Sequence, residues 1–434
     1  MAASTAKSPP WQAIEFHKNK YDSNVNTSFF GTVLGEWKHE PRDDEKALYA
    51  LRERIEEFDS TSIARKHSDE STAATTESDG KWEYYKKMVN PYEFVYTQPK
   101  YKDFPTSVCL INPLSRSYFK ILEILSVSRF FELTAGERLR SAHVCEGPGG
   151  FIEGFYDECE RRRLTPISAT AMTLRPTQSN VPGWKRAATF LKKYSSVQIL
   201  YGADNTGNIL KYENQDAFIA ACPKVLLFTG DGGFDFSTDY SMQEAAVFPL
   251  LVASARMGFE CMRQGAVFVL KFFDIHHAAT ADLLCFLAAH FRTWSIYKPA
   301  TSRPCNPEQY FIGVDYRGCA AGGLELLREW SRAACEGKTL ARLITGEMPA
   351  EFAATLEAIR TRIVRSQIDY LERVFGLIGC GSGATIAGKT VIPDLKVAEV
   401  MSYDWCHTFS VPVHPDRARA IEASRSDLLA AGRL

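Results

Sequence analysis

The sequence predicts an α/β chain built on a mostly parallel, doubly wound sheet, and three observations carry that prediction. Short β-branched or apolar runs recur from about residue 101 to 318. Amphipathic stretches of helical spacing separate most of them, which is the pattern of βαβ units. The first run ends in a glycine-rich turn, HVCEGPGGF at 143–151, where a strand would hand over to a helix.

Taken in order, residues 1–58 carry aromatic and charged side chains without clean periodicity until 43–58, which reads as a helix. Residues 59–80 (DSTSIARKHSDESTAATTESDG) are nearly devoid of large apolar side chains and read as a solvated linker. Strands are expected at 143–145, 167–172, 197–201, 225–229, 266–271, 294–297 and 310–314. Helices are expected at 149–163, 183–194, 240–263 and 278–291. Beyond 318 the chain reads as mainly helical. Its clearest stretch is 351–378, where Phe352, Leu356, Ile359, Ile363, Leu371 and Val374 recur at helical spacing. The division is an N-terminal extension (1–58), a linker (59–80), the sheet domain (81–318, core 101–318) and a helical C-terminal region (319–434).

Composition excludes several classes. Of 434 residues, 45% are hydrophobic and 24% charged, ample for a core and far from a disordered chain. No uncharged apolar run reaches the ~18 residues of a membrane span. The first residues, MAASTAKSPPWQ, lack a secretory signal, so the expected location is cytosol or nucleus, with no membrane partner. Eleven cysteines without a CxxC pair, and nine histidines without HxxxH or HxH, predict reduced thiols and no structural metal. With 51 basic residues against 52 acidic, nucleic acid would have to be met by a local gathering of cations, not by overall charge.

GATIAGKT at 383–390 formally matches the phosphate-loop pattern GxxxxGK[ST]. A helix precedes it instead of a strand, and Pro393 spoils the helix that must follow. It reads as a glycine-rich turn.

Ligands of doubly wound sheets sit at the carboxyl ends of the strands. The turn after the first strand suits a dinucleotide, a flavin or S-adenosylmethionine. It lacks GxGxxG spacing, and no acid closes the second strand, which disfavours nicotinamide cofactors.

EGPGGF resembles the first motif of the FtsJ-like (RrmJ-type) RNA ribose 2′-O-methyltransferases, and the resemblance continues in order from about residue 112 to 314. SRSYFKILEI is similar to the helix with the first catalytic lysine, Lys120. AMTLRP at 171–176 and YGADNTGNI at 201–209 resemble segments of the eukaryotic and viral mRNA-cap branch. TGDGGFDFS places an aspartate at Asp231, VLKFFD a second lysine at Lys271, and TSRPCNPEQYFI a glutamate at Glu308. The resemblance implies a Rossmann-like seven-stranded methyltransferase sheet with helices on both faces, plus the N-terminal extension and helical C-terminal region. It implies S-adenosyl-L-methionine held by Glu146, Gly147, Pro148, Gly149, Gly150, Phe151, Asp204, Asn208 and Asp231. Asn208 stands where the branch more often has aspartate. The first ~100 and last ~115 residues carry no such likeness.

The chemistry explains such a tetrad. A ribose 2′-hydroxyl is a poor nucleophile at neutral pH, so transfer needs in-line positioning and removal of the hydroxyl proton. A lysine serves as base only when deprotonated, and burial or a neighbouring cation favours that state. On the family pattern Lys271 is the base and Lys120 the cation that lowers its pKa. Asp231 orients Lys271, and Glu308 holds Lys120 or the ribose. Read singly, each residue has a blander role: a turn aspartate, a capping glutamate, a solvated helix lysine. Together they favour the site. For RNA contacts, Arg116 and Arg303 are the candidates, with Tyr118, Phe234, Phe236 and Tyr240 as stacking surfaces whose commoner role is core packing.

The expected activity is therefore 2′-O-methylation of the first or second transcribed nucleotide of capped mRNA. Two alternatives remain: a ribosomal or transfer RNA ribose methyltransferase, or a non-catalytic subunit of an RNA-processing complex. A protein partner would dock on the C-terminal helices or the N-terminal extension. A chain with little beyond the catalytic domain fits a large DNA virus or a protist; a viral source would place it in the cytoplasmic virus factory or virion.

Overall fold

Two short strands, β1 (His17–Lys18) and β2 (Phe30–Leu34), precede helices α1 (Asp43–Glu53), α2 (Lys81–Met88), α3 (Ser117–Val127) and the single turn α4 (Phe130–Leu133). The central run is β3 (Arg140–Val144), α5 (Gly150–Arg161), β4 (Ser168–Met172), α6 (Ala188–Lys193), β5 (Val197–Leu200), α7 (Tyr212–Ala221) and β6 (Val225–Gly230). It continues through α8 (Gln243–Cys261), β7 (Met262–Phe272), α9 (Ala278–Ala289), β8 (Phe291–Tyr297) and β9 (Gln309–Tyr316). The chain then forms α10 (Ala321–Cys335), β10 (Leu340–Ile344), α11 (Ala350–Cys380), the two-residue strands β11 (Thr385–Ile386) and β12 (Lys389–Thr390), α12 (Leu395–Thr408) and α13 (Pro415–Ala430). This computed structural model describes residues 9, 12–18, 29–58, 81–97, 106–176, 183–233, 243–380, 385–386, 389–390 and 394–434. The 59–80 linker, Phe234, Phe236, Tyr240 and part of the 383–390 turn lie outside those residues.

The sheet runs β5-β4-β3-β6-β7-β9-β8-β1. Strands β5 to β7 are mutually parallel, and β9 enters antiparallel between β7 and β8. All seven sequence-expected strands are present. An eighth, β1, pairs antiparallel on β8 through His17↔Trp294 and Lys18↔Thr293. Alternation along the buried strands feeds two cores. Phe268 and Leu270 of β7 join α8, α9, α10 and Phe352 of α11 on one face, while Val267 and Val269 join α3, α5 and α6 on the other. Gly258 lets α8 press close to the sheet, since a Cβ there would lie 2.5 Å from the Phe268 ring.

Some elements differ from expectation. The 183–194 helix opens as a 3₁₀ turn, Lys185–Ala187, before α6. The 278–291 helix stops at Ala289, and Phe291 already begins β8. The N-terminal extension and the C-terminal region each contribute a strand, β2 and β10, which pair antiparallel in a separate two-stranded sheet. Among the described residues no helix is long and apolar enough to cross a membrane.

The chain leaves β3 outward to β4 and β5, then returns to lay β6 against the other side of β3. That reversal opens a crevice beyond the carboxyl ends of β3 and β6, the place where such sheets take ligands.

Candidate active site

The turn after β3 fills one side of this crevice. Gly149 has φ 109°, left-handed backbone that a side chain resists, and a Cβ on Gly150 would lie 2.3 Å from the Ser115 and Ser117 hydroxyls. Only glycine lets α5 begin this close to α3. The Phe151 ring is fully buried, 5.9 Å from that of Tyr310, so it can face a ligand only through its backbone.

A buried polar string runs beneath the turn. Ser141 Oγ meets His143 Nε2 at 2.8 Å, His143 Nδ1 meets Thr229 Oγ1 at 2.8 Å, and Thr229 Oγ1 donates to Glu146 Oε1 at 2.6 Å. Burial pushes the His143 pKa down to about 3, leaving a neutral ring. Burial, with Asp231 nearby, raises Glu146 well above the usual carboxylate range. Its second oxygen, Oε2, is buried with no hydrogen-bond partner, a polar atom aimed where a ligand would complete it. Thr229 thus has a task that its place before Asp231 did not reveal.

The loop after β5 forms the next wall. Gly207 has φ 70°, and a Cβ there would lie 1.9 Å from the Thr173 carbonyl oxygen. Asp204 accepts from Thr206 N (3.0 Å), Thr206 Oγ1 (2.7 Å) and Asn214 Nδ2 (2.8 Å), and it pairs with Lys211. These donors hold its carboxyl well below the usual range. Asn208 Oδ1 accepts from Leu210 N at 3.0 Å. Both expected cofactor contacts therefore also build the loop.

The four expected catalytic residues come from four elements and meet as two ion pairs. Lys271, near the end of β7, lies 3.1 Å from Asp231 Oδ1, just past β6. Tyr310, the cross-strand neighbour of Lys271, donates to the same oxygen at 2.8 Å. Lys120 of α3 lies 2.7 Å from Glu308 Oε1 and donates to Oε2 at 2.8 Å. Burial alone would lower the Lys271 pKa, but Asp231, Glu308 and Glu146 outweigh it, and the ammonium is favoured above the ordinary lysine value. This corrects the expectation of a depressed pKa: three carboxyl groups surround Lys271, while Lys120 is bound to Glu308.

Two charged residues, one half-buried and one fully buried, escaped sequence reasoning. Lys298 donates to the carbonyls of Asn306 (2.6 Å) and Glu308 (3.0 Å), fixing the loop that delivers Glu308. Burial pushes its pKa down to about 8; Glu308 opposes this and Lys120 adds to it. Glu123, fully buried in α3, accepts from Tyr297 OH (2.6 Å), Ala300 N (2.6 Å), Thr301 N (3.0 Å), Thr301 Oγ1 (2.8 Å) and Trp405 Nε1 (3.1 Å). It ties the Lys120 helix to the 300–308 loop and to α12.

Arg116 and Arg303 lie together because both grip Glu93, a buried carboxylate. Arg303 donates to it twice (2.9 and 3.1 Å), and Arg116 Nη1 lies 3.4 Å away. Two guanidiniums on one carboxylate leave a net positive charge beside the loop. Tyr118 is core, its hydroxyl donating to Asp157 at 3.2 Å.

The FtsJ-like methyltransferase family model matches residues 113–316. The chain is 32% identical over 211 residues to cap-specific mRNA (nucleoside-2′-O-)-methyltransferase 2 of Danio rerio, covering 47% of this chain and 28% of that protein. It is 29% identical over 250 residues to cap-specific mRNA (nucleoside-2′-O-)-methyltransferase 1 of Dictyostelium discoideum, covering 52% and 31%. With the Trypanosoma brucei brucei protein named cap-specific mRNA (nucleoside-2′-O-)-methyltransferase 1 the identity is 26% over 277 residues, covering 60% and 72%. The chain thus spans only about a third or less of the first two relatives. The part of the chain that matches the FtsJ-like methyltransferase family model, residues 113–316, holds seven of the eight sheet strands and all four converging side chains.

Proposed function

We propose that this chain methylates the ribose 2′-oxygen of the first or second transcribed nucleotide of capped mRNA, using Lys120, Asp231, Lys271 and Glu308. The observation that carries this reading is the meeting of Lys271–Asp231 and Lys120–Glu308 beside the glycine turn, at 3.1 and 2.7 Å. The names of the relatives support the capped substrate.

The turn fits S-adenosylmethionine: its left-handed Gly149 permits close backbone approach, and Glu146 Oε2 awaits a partner. Glu146 to Phe151, with Asp204, Asn208 and Asp231, would hold it. When bound it supplies an electrophilic sulfonium methyl. The protein's part is to place the ribose hydroxyl and take its proton. Lys271 accepts that proton as a neutral amine, Asp231 fixes the direction of Nζ, and Glu308 with Lys298 keeps Lys120 at the site edge. Arg116 and Arg303 take an RNA phosphate or the cap.

Because its neighbours favour the ammonium, little of Lys271 is neutral at pH 7. The rate constant for transfer should therefore climb about tenfold per pH unit through the neutral and mildly alkaline range. Single-turnover rates from pH 6.5 to 9 check this, and a flat profile argues against Lys271 as proton acceptor. Replacing Arg303 by alanine should raise KM for capped RNA and reduce the slope of log affinity against log salt by about 1, with little change in S-adenosylmethionine binding.

The test of the whole reading is transfer from labelled S-adenosylmethionine to matched capped and uncapped RNAs. Label on the ribose of capped RNA alone supports it. Equal labelling of uncapped structured RNA moves the substrate to ribosomal or transfer RNA. Absence of transfer by folded, cofactor-bound protein favours a non-catalytic subunit.

A further inference from the structure

Away from the crevice, the N-terminal segment meets the stretch just past β7 in a buried cluster of nitrogen and oxygen donors. Glu45 of α1 is fully buried. Its Oε2 lies 3.1 Å from His39 Nε2, and its Oε1 lies 2.9 Å from His276 Nδ1. Each of the three residues offers a ligand atom, and these atoms all lie within 4.8 Å of one another; among the described residues no other group of three does so. Nε2 of both histidines is buried without a well-aligned hydrogen bond: that of His39 meets only Glu45 Oε2 at 3.1 Å, and that of His276 stands 3.4 Å from Asp274 Oδ1. Nδ1 of His277 is equally orphaned, its ring centroid 5.3 Å from that of His39. Buried ring nitrogens left without a well-formed hydrogen bond beside a buried carboxylate are more than packing requires, since buried polar atoms are ordinarily satisfied.

We propose that His39, Glu45 and His276 bind a divalent transition-metal ion of the zinc class. Two imidazoles and a carboxylate are borderline donors that suit zinc, whereas calcium and magnesium call for oxygen alone. Zinc bonds of about 2.0–2.1 Å in a tetrahedron set neighbouring donors about 3.3–3.5 Å apart. The 2.9 and 3.1 Å separations need open by only a few tenths of an ångström. Three protein donors leave one tetrahedral position for a fourth ligand.

The surroundings are built to support such ligands. Arg360 Nε donates to Glu45 Oε1 at 2.6 Å and so orients the carboxylate. Glu244 accepts from the backbone N–H of His276 (2.9 Å) and His277 (3.1 Å). Asp274, beside His276, is held by Arg52 through bonds of 2.7 and 2.9 Å. Hydrogen-bonded partners of this kind fix ligand orientation. The ion would clip α1 and the segment before it to residues 274–276, just beyond the strand that carries Lys271. The competing occupant is a proton on His276 shared between Glu45 and Asp274.

The test uses the full chain, purified, stripped with a chelator and then titrated with Co²⁺ and Zn²⁺. The expected result is one tightly bound ion per chain, a visible cobalt band of tetrahedral intensity, and a melting temperature that falls on chelation and returns with zinc. His39→Ala, at a position only partly covered, should keep the far-ultraviolet circular dichroism and weaken metal binding at least about a hundredfold. Folded protein with no stoichiometric metal and no cobalt band overturns the proposal in favour of the shared proton. So does cobalt that shows a thiolate charge-transfer band and is indifferent to His39→Ala, since that ion sits on cysteine. Neither readout depends on methyl transfer.

Discussion

Lys271→Met should reduce methyl transfer by about 10²–10⁴-fold while S-adenosylmethionine binding changes little. Methionine roughly preserves the length of the side chain between Asp231 and the Phe273 ring but can neither take a proton nor pair with the carboxylate. Asp231 keeps one donor, the Tyr310 hydroxyl. Single-turnover rates beside calorimetric cofactor affinity separate the chemistry from binding. A variant that binds cofactor and RNA normally and still transfers methyl within tenfold of the native rate would remove Lys271 from the reaction.

Glu123→Ala carries the largest expected loss of stability. Five donors converge on this carboxylate from a tyrosine, a threonine hydroxyl, two backbone amides and an indole. Each buried donor left without an acceptor costs about 1–3 kcal/mol, and water entering the space recovers part of that. A net loss of about 3–5 kcal/mol lowers the melting temperature by roughly 6–20 °C. Glu123→Gln keeps one strong acceptor and should fall between. Because Glu123 joins α3, the 300–308 loop and α12, the alanine variant should also loosen Lys120 and Glu308. Thermal melts and hydrogen exchange of residues 298–308 report the two effects. Equal melting of Glu123→Ala and native protein would show that these bonds count for little.

What the sequence made legible was whatever repeats locally or follows a motif. Most of the seven strands show as apolar runs because they are buried on both faces, and Lys120, Asp231, Lys271 and Glu308 stand in ordered segments. β1 was hidden because two residues, His17 and Lys18, have no periodicity, and their pairing is decided by the open edge of β8. β2 and β10 were hidden because each is short and its partner lies some 300 residues away, so neither carries a local hairpin signal. Glu93 and Glu123 look like ordinary surface acids in a string of letters. Their role comes from donors distant in sequence, such as Arg303 and Trp405, that only the fold brings near. The direction of the Lys271 pKa was misjudged for the same reason: the number of carboxyl groups around Nζ is a property of packing, not of spacing.

The pairing of His17 and Lys18 on β8 has a consequence for how the molecule behaves in company. A sheet that ended at β8 would present Phe291 to Tyr297 as a bare row of backbone donors and acceptors flanked by aromatic side chains, a template for another chain's strand. β1 occupies the middle of that row, and the lysine it brings places a charge where an incoming strand would have to lie flat. A stretch that brings no side chain to the candidate site thus covers the edge at which another strand would add. Trimming the chain back to residues 113–316 should uncover that edge and leave a smaller protein more given to pairing with itself.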